Sequence, residues 1–329
     1  MTLMCIGRMN KKNILEELQY LQTFVTPIVP LDNDDNEIYV KKEEYIPFSF
    51  GGNKVRIAAK YFMDLIENDC DSVITYGASS SNMCRVIANL ACKYHIDCTI
   101  ISPEEEYVDT ANSILVKSLG AKIITTPIDC VHQTIEGTIT QHKNEGKKPY
   151  FIYGGGHGKL GTDSYRNVMN QIHDYEIQTG HFFDYIFITV GTGTSISGLI
   201  LQNKYGNFNK KIIGISIARE ISRANKILEE AVHTFGDDGL QLNYELFDYR
   251  LGGYGKYTEA VENTIKTIYN KNGLNLDLIY TGKAFTGMQE FIKARGITHQ
   301  KLLFIHTGGT PLFFDALIKL YTPSHNYMM

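Results

Sequence analysis

The amino-acid sequence predicts an α/β fold in which parallel strands are joined by helical crossovers. Short β-branched runs alternate with longer amphipathic segments along most of the chain, which is the order that parallel sheets require. Turns rich in glycine and serine follow several of these runs. Because 329 residues exceed one ordinary domain, we expect two doubly wound domains.

Strands and helices alternate regularly in the first half of the chain. Runs rich in Val, Ile, Thr and Tyr predict strands at residues 37–42, 72–76, 97–102, 122–126 and 150–153. Apolar residues at helical spacing predict helices at residues 13–21, 55–66, 83–94, 109–119 and 131–143. The first helix ends before Thr26-Pro27, because the residue before a proline disfavours the helical conformation.

The second half continues the same alternation. Strands are predicted at residues 185–190, 211–217 and 301–306. Helices are predicted at residues 162–178, 223–234, 258–271 and 286–295. The run at 185–190 is the strongest strand signal, and it leads directly into a glycine-rich turn. No repeat or low-complexity linker interrupts the pattern.

Composition excludes several classes of function. Hydrophobic residues make up 43% of the chain and charged residues 21%, which is typical of a globular protein with a sizeable core. A net charge of −4 without a basic run offers no electrostatic surface to nucleic acid. No apolar run approaches the ~20 residues of a membrane span, and the N-terminus lacks the core of a signal peptide. We therefore expect a cytoplasmic protein.

The cysteines do not form a recognisable metal or disulfide motif. They are Cys5, Cys70, Cys84, Cys92, Cys98 and Cys130, and none belongs to a Cys-x-x-Cys pair. We expect buried, reduced thiols and no metal site.

The stretch Gly51-Gly52-Asn53-Lys54 is the first candidate for a functional site. Two adjacent glycines allow a tight turn and a close approach of the backbone to a ligand. Lys54 follows at the predicted start of a helix, where partial positive charge lowers the pKa of an amine and favours a nucleophile. Taken alone, this short motif fits a turn with a solvated lysine better, so its interpretation depends on the other stretches.

Two further polar stretches follow predicted strands, which is where ligands bind in doubly wound sheets. Ser79-Ser80-Ser81-Asn82 precedes a helix and suits a carboxylate, although serines also cap helices without a ligand. Residues 191–198 (Gly-Thr-Gly-Thr-Ser-Ile-Ser-Gly) offer N–H and O–H donors to one phosphate. Their spacing matches neither a dinucleotide-binding loop nor a Walker A loop, which leaves a monophosphate as the hypothesis.

Two late segments place hydroxyls or imidazole beside glycine: Tyr280-Thr281-Gly282-Lys283 and His306-Thr307-Gly308-Gly309. A reactive lysine, a monophosphate cradle, a carboxylate-binding loop and the lack of a metal motif together indicate pyridoxal 5′-phosphate (PLP). This cofactor is a phosphate monoester whose aldehyde binds a lysine amine.

These motifs resemble those of the fold-type II PLP enzymes, specifically the D-cysteine desulfhydrase and 1-aminocyclopropane-1-carboxylate (ACC) deaminase family. The resemblance extends from Thr26 to Gly309 and includes Gly253-Tyr254-Gly255. It implies a large, discontinuous PLP-binding domain (residues 1–54 and 162–329) and a small mobile domain (residues 55–161). The cofactor would lie in the cleft between them, and the protein would be a homodimer that acts on a small amino acid.

The resemblance also implies a role for each matching residue. Lys54 would form the Schiff base and exchange the Cα proton, with Ser81 and Tyr280 beside the reacting atoms. The cofactor would be bound by Lys54, by Asn53 at its phenolic oxygen, by Thr307 at its pyridine nitrogen, and by Gly191, Gly193, Thr194 and Ser195 at its phosphate. The substrate would be bound by Ser81, Asn82, Tyr254, Tyr280 and Thr281.

Three positions bear on the reaction within this family. ACC deaminases resemble this chain but carry Glu at position 281 and Leu at position 307, so Thr281 and Thr307 favour the desulfhydrase reaction. In that reaction, β-elimination from a D-cysteine-like amino acid gives pyruvate, ammonia and sulfide. Met83 stands where the family has His or Gln, and methionine donates no hydrogen bond, so the substrate does not follow from the resemblance. L-cysteate sulfo-lysis, ACC deamination and β-replacement through the same aminoacrylate remain alternatives.

Overall fold

The computed structural model describes residues 10–31, 36–104, 109–236 and 242–322, and the strands of this part form two sheets. The strands are β1 (Ile28–Leu31), β2 (Glu37–Lys42), β3 (Ser72–Tyr76), β4 (Asp97–Pro103), β5 (Lys122–Thr126), β6 (Pro149–Ile152), β7 (Tyr185–Val190), β8 (Lys211–Ser216), β9 (Tyr244–Asp248) and β10 (Lys301–His306).

Helices join these strands and cover the sheets. They are α1 (Lys11–Thr23), α2 (Asn53–Glu67), α3 (Asn82–Tyr94), α4 (Ala111–Ser118), α5 (Val131–Asn144), α6 (Lys159–Ser164), α7 (Arg166–Thr179), α8 (Thr194–Tyr205), α9 (Ile221–His233), α10 (Glu259–Asn272), α11 (Thr281–Arg295) and α12 (Thr310–Tyr321).

The two sheets differ in size and in strand direction. The larger sheet has the order β1-β2-β10-β7-β8-β9. Its strands are parallel except for β1, which pairs antiparallel with β2 at one edge. The smaller sheet has the order β5-β4-β3-β6 and is parallel throughout. The predicted α/β class with two parallel-sheet units is confirmed.

Both faces of the larger sheet are covered by apolar packing. Along β7, Phe187 belongs to the core on the side of α11, whereas Ile186 and Ile188 belong to the core on the side of α7 and α8. This division follows from the alternation of side chains along a strand. Burial on both faces explains why β7 is apolar almost throughout.

The core beside the smaller sheet draws on residues from several parts of the chain. Val73 and Ile152 of this sheet share one apolar cluster with α2 and α3. Leu18 and Leu21 of α1 lie in the same cluster, although the predicted domain division assigned α1 to the larger unit. The boundaries near residues 54 and 161 stay a prediction.

Several elements differ from the sequence-based expectation. The predicted helix at 162–178 is two helices, α6 and α7, which meet at the fully buried Tyr165. Strands β1 and β9 and helix α12 were not predicted. Strand β1 contains Pro30, which suits an edge strand because proline cannot donate to a ladder. Helix α11 begins at Thr281 rather than at 286.

The thiols are less buried than expected. Cys84 is buried, but Cys92 and Cys130 are exposed, so the prediction of buried thiols was wrong for these two. The cysteines within the described residues are free, and Cys5 lies outside that part. No helix in the described part of the chain is long and apolar enough to cross a membrane.

Candidate active site

A cavity of about 380 Å³ lies where the carboxyl ends of strands from both sheets meet. Its walls include residues 76–78, 153–155, 191–196, 218–219 and 307–308, which lie at or shortly after the ends of β3, β6, β7, β8 and β10. Lys54 and Arg219 are cationic side chains on this wall, and no Asp or Glu is among the described residues that line it. The cavity therefore favours anionic ligands.

Lys54 is the second residue of α2 and reaches the cavity from a glycine turn. Gly51 and Gly52 have φ values of 65° and 100°, which favour glycine. A Cβ on Gly51 would lie 2.1 Å from the carbonyl oxygen of Glu44, so only glycine fits there. The Lys54 Nζ donates to the carbonyl of Gly155 at 3.0 Å. Desolvation of the amine lowers the pKa of Lys54 to about 8.

A buried ion pair fixes the start of α2 against the end of β2. Arg56 Nε lies 2.6 Å from Glu43 Oε2, and Arg56 Nη2 lies 2.9 Å from Glu43 Oε1. Burial alone would raise the pKa of Glu43, but the guanidinium outweighs it and lowers this pKa to about 2. The backbone N–H of Gly52 also donates to the carbonyl of Glu43 at 2.8 Å. The position of Lys54 therefore depends on a bidentate pair just outside the cavity.

A second buried pair places Thr307 beside the lysine turn. His306 Nε2 lies 2.9 Å from the carbonyl of Asn275, and His306 Nδ1 lies 2.6 Å from Glu44 Oε2. Burial lowers the pKa of His306, but Glu44 opposes this effect and the net pKa is raised. Asn53 N donates to the carbonyl of Thr307 at 3.0 Å, which joins the loop after β10 to α2.

The loop between β7 and α8 forms a cradle of donors. Gly193 has φ 89° and stands at the N-terminus of α8, where the first backbone N–H groups have no partner within the helix. The Thr192 and Thr194 hydroxyl oxygens lie 3.2 Å apart. Asn53 Nδ2 donates to Ser195 Oγ at 2.9 Å, which ties the cradle to the lysine turn.

The serine run and two tyrosines meet at the other side of the cavity. Ser81 caps α3 by accepting from the N–H of Cys84 at 3.2 Å. Ser80 Oγ lies 2.8 Å from Tyr254 Oη, which lies 2.5 Å from Tyr280 Oη. A continuous chain of hydroxyls thus links three separate segments of the protein.

The side-chain amide of Asn82 is held in one orientation. Its Oδ1 accepts from Asn112 Nδ2 at 2.9 Å and from Arg85 Nη2 at 3.4 Å. With the oxygen engaged on the protein side, Nδ2 is the atom free to donate toward the cavity. Asn112 is fully buried and also donates to the carbonyl of Ser80 at 2.9 Å. Sequence reasoning missed Asn112, because it lies within the predicted helix at 109–119 and outside every motif.

Thr281 is the one predicted site residue that does not line the cavity. Its hydroxyl donates to Asp277 Oδ2 at 2.7 Å and accepts from the N–H of Asp277 at 2.9 Å. Asp277 also accepts the N–H groups of Ile279, Tyr280 and Thr281, so its carboxylate binds the donors at and just before the start of α11. The predicted segment at 280–283 therefore follows an irregular, capped turn and not a strand. The other predicted residues line the cavity together: Asn53, Lys54, Ser81, Asn82, Gly191, Gly193, Thr194, Ser195, Tyr254, Tyr280 and Thr307.

Arg219 and His157 complete the wall near the donor cradle. Arg219 Nη2 lies 3.4 Å from His157 Nε2. Burial, Arg219 and Lys54 lower the pKa of His157 to about 4, so this imidazole is neutral and Nε2 accepts. Arg219 was not predicted, although its place three residues after β8 matches the rule that located the other loops.

Comparisons with known proteins agree with this geometry. The family model described as pyridoxal-phosphate dependent enzyme matches residues 20–308. A protein of Pyrococcus horikoshii, provisionally named 1-aminocyclopropane-1-carboxylate deaminase, is 33% identical over 311 residues, which cover 90% of this chain and 93% of that protein. D-cysteine desulfhydrase of Salmonella typhi is 28% identical over 295 residues, which cover 84% of this chain and 88% of that protein.

A solved structure is also similar along almost the whole chain. The crystal structure of an ACC deaminase homologue matches with a TM-score of 0.80 and 30% sequence identity. The match covers 93% of this chain and 98% of that chain.

Proposed function

Because this chain belongs to the family of pyridoxal-phosphate dependent enzymes, we propose that it catalyses β-elimination on a small β-substituted amino acid. A D-cysteine-like substrate would give pyruvate, ammonia and sulfide. The observation that carries this proposal is the arrangement around Lys54: its partly buried amine lines one cavity together with the donor cradle and with Ser81 and Asn82 at the N-terminus of α3. The name of the Salmonella relative supports the same reaction.

The cavity fits PLP in size and in donor chemistry. A volume of about 380 Å³, with no acid among the described residues that line it, suits a small phosphate monoester. Gly191, Gly193, Thr194 and Ser195 would hold the phosphate, and Asn53 and Thr307 would contact the ring substituents. When bound, PLP supplies an electron sink for the electrons released at the substrate's Cα.

Lys54 would serve as anchor and as base. An amine whose pKa is about 8 has a larger neutral fraction near neutral pH than an ordinary lysine, and only the neutral amine is nucleophilic. With a substrate bound, Lys54 would lie next to Cα and would take the Cα proton.

The N-terminus of α3 would bind the substrate's carboxylate. Asn82 Nδ2 and the Ser81 hydroxyl are donors at this helix end, where the dipole favours an anion. Tyr254 and Tyr280 would face the β-substituent. Burial raises the pKa of Tyr280 well above its ordinary value, so this hydroxyl keeps its proton and can donate to a departing thiolate.

ACC deamination is the second candidate, because the Pyrococcus relatives and the 30%-identical structure carry that name. Position 281 argues against it. ACC deaminases resemble this chain with Glu at that position, whereas the Thr281 hydroxyl is taken up by Asp277. L-cysteate sulfo-lysis and β-replacement would use the same site residues as β-elimination. They therefore stay alternatives, which the experiment below distinguishes.

The larger-scale expectations belong to the same proposal. A small domain of residues 55–161 would carry Ser81 and Asn82 toward the cofactor, and residues 1–54 and 162–329 would form the large domain. A homodimer in the cytoplasm is the assembly and location proposed with it.

The test is an absorption spectrum of the purified protein, followed by an assay for pyruvate with D-cysteine, L-cysteine, L-cysteate and ACC in turn. We expect a visible band of lysine-bound cofactor that is lost in Lys54→Ala, and pyruvate from D-cysteine. Sulfite from L-cysteate or 2-oxobutyrate from ACC would select an alternative, and a cofactor band without product from any of these substrates would favour β-replacement. A protein that shows no band after incubation with PLP would refute the proposal.

A further inference from the structure

A fully buried lysine outside the catalytic cavity, Lys283, donates to three main-chain carbonyls. Its Nζ lies 2.8 Å from the oxygen of Ile217 and 3.0 Å from that of Gly253, and it also contacts the oxygen of Arg250. Lys283 stands in the first turn of α11. None of these partners is a carboxylate, so main-chain dipoles alone complete the coordination of this ammonium group.

The loop that Lys283 holds has an unusual backbone. It connects β9 to α10, and Leu251, Gly252 and Gly253 have φ values of 54°, 94° and 128°. These conformations turn the carbonyls of Arg250 and Gly253 inward toward α11. Buried carbonyls without a donor would be costly, and an ammonium group offers three donors in one compact centre.

The loop delivers a residue of the candidate active site. Tyr254 directly follows Gly253, and its hydroxyl bonds with Ser80 and Tyr280. Tyr280 itself stands three residues before Lys283, at the N-terminus of α11. The N-terminal end of α11 therefore contacts the Tyr254 region twice. Tyr280 bonds the Tyr254 hydroxyl, and Lys283 bonds the carbonyl of the preceding residue, Gly253.

The carbonyl of Ile217 joins Lys283 to the end of β8 as well. Ile217 is followed by Ala218 and Arg219, and both line the cavity. We propose that Lys283 is a positioning residue: it clamps the loop 250–253 and the end of β8 to α11, and so places Tyr254 and Arg219 against the substrate. The effect on catalysis rests on the proposed function, whereas the clamp itself does not.

The clamp can be tested without activity, because the loop contains two sites for trypsin, Arg250 and Lys256. The cofactor-loaded protein and its Lys283→Met variant are digested briefly, and cleavage after these two residues is quantified by mass spectrometry. We expect cleavage at least tenfold faster in Lys283→Met. Lys293→Met is the matched control, since Lys293 is an exposed lysine of the same helix and its loss should change nothing. Cleavage of folded Lys283→Met at the rate of the parent would overturn the proposal.

Folding of the variants is checked by circular dichroism and by cofactor absorbance. If Lys283→Met does not fold, Lys283→Arg gives a second comparison, because a guanidinium keeps the charge but spreads its donors over a planar fork instead of directing them from one compact centre. We expect trypsin to cleave the loop of Lys283→Arg faster than the loop of the parent. Parent-like cleavage in this folded variant would also contradict the clamp.

A double-mutant cycle separates positioning from a merely structural role. If Lys283 acts through Tyr254, Lys283→Met should raise KM roughly tenfold in the parent, within the coupling range of residues that share contacts. The same change should raise KM less in a Tyr254→Ala background, where only the contribution through Arg219 remains. Additive losses in the two backgrounds would show that Lys283 does not act through Tyr254. If no candidate substrate is turned over, the proposed function fails, and the proteolysis result still decides the clamp.

Discussion

The amine of Lys54 is partly buried at the wall of the cavity, and the hydration that it loses there accounts for its lowered pKa. The sequence suggested the end of a helix as the cause, but desolvation is the cause that the geometry supports. The charged form of a buried amine loses its hydration, whereas the neutral form loses little. The same loss of hydration keeps His157 neutral and Tyr280 protonated, so one property of the cavity sets three protonation states.

The pKa of Lys54 predicts how cofactor loading depends on pH. The neutral amine reacts with the aldehyde, and its fraction rises as the pH passes through about 8. Stopped-flow absorbance on the apoenzyme should therefore give a rate that increases up to about pH 8 and then levels off. A rate that keeps increasing to about pH 10, the range of an ordinary lysine, would show that the amine is not desolvated before the cofactor arrives.

The fixed orientation of Asn82 predicts the effect of an isosteric change. In Asn82→Asp, one oxygen can still accept from Asn112 and Arg85, while the other presents negative charge to the substrate's carboxylate. We expect KM to rise by roughly a hundredfold, since like charges in contact cost several kcal/mol. Cofactor absorbance should not change. Steady-state kinetics on the loaded enzyme measure this, and an unchanged KM would place the substrate's carboxylate elsewhere.

Elements position these residues through buried ion pairs at their ends. The Arg56–Glu43 pair joins α2 to the end of β2, and the His306–Glu44 pair joins β10 to the same segment. Both acids are neighbours in the sequence and precede the glycine turn that carries Lys54. The turn is therefore held from both sides before any ligand binds.

Removal of the charge on Glu44 should destabilise the protein in a pH-dependent way. Glu44→Gln leaves His306 facing a neutral amide, and we expect a loss of about 3 kcal/mol in the free energy of unfolding. His306 has a raised pKa, so its contribution is complete below about pH 6.5 and is lost as the pH rises through the folded-state value. Glu44 has a lowered pKa, so its contribution is lost as the pH falls below about 4.5.

The difference between the parent and Glu44→Gln should therefore be greatest between about pH 4.5 and pH 6.5. Urea unfolding at several pH values measures it. A difference that does not vary with pH would show that the two groups do not interact as ions.

Element prediction from the sequence succeeded where a signal is local and failed where it depends on distant partners. The strand at 185–190 is recognisable because burial on both faces makes it apolar. Strands β1 and β9 are edges, and their mixed composition depends on a neighbour that the sequence does not reveal. Helix α11 begins five residues before the predicted start, because Asp277 accepts the N–H of Thr281. The sequence did not indicate this start, since Gly282 is a poor helix former.

The candidate site shows the same limit. Motif residues such as Lys54 and Ser195 could be named from the sequence, because loops after parallel strands converge. Asn112 stands on a helix outside every motif, and Lys283 belongs to a recognised segment in which the sequence gives it no role. No local pattern distinguishes such a lysine from a solvated one until its three carbonyl partners are seen together.

At the scale of the whole molecule, the positive charge of the cavity wall contrasts with the negative net charge of the chain. The chain carries a net charge of −4, yet the described wall of the cavity contains Lys54 and Arg219 and no acid. An anionic ligand is thus drawn into this cavity at the ends of both sheets. In the proposed function Lys54 would anchor the cofactor, so Arg219 would be the side-chain cation left to balance the phosphate and the substrate's carboxylate.

The positive charge on the cavity wall predicts that Arg219→Gln weakens cofactor binding. The donors of the cradle are neutral, so loss of the guanidinium removes the fixed positive charge on that wall. We expect the dissociation constant for PLP to rise roughly tenfold, the size of one charge-assisted interaction. Titration of the apoenzyme with PLP at low and high salt measures it, and the difference from the parent should shrink as salt screens the charge.

Arg223→Gln is the control, because Arg223 is exposed on α9 and does not line this cavity. If Arg219→Gln binds PLP as tightly as the parent but raises KM, the guanidinium serves the substrate instead of the phosphate.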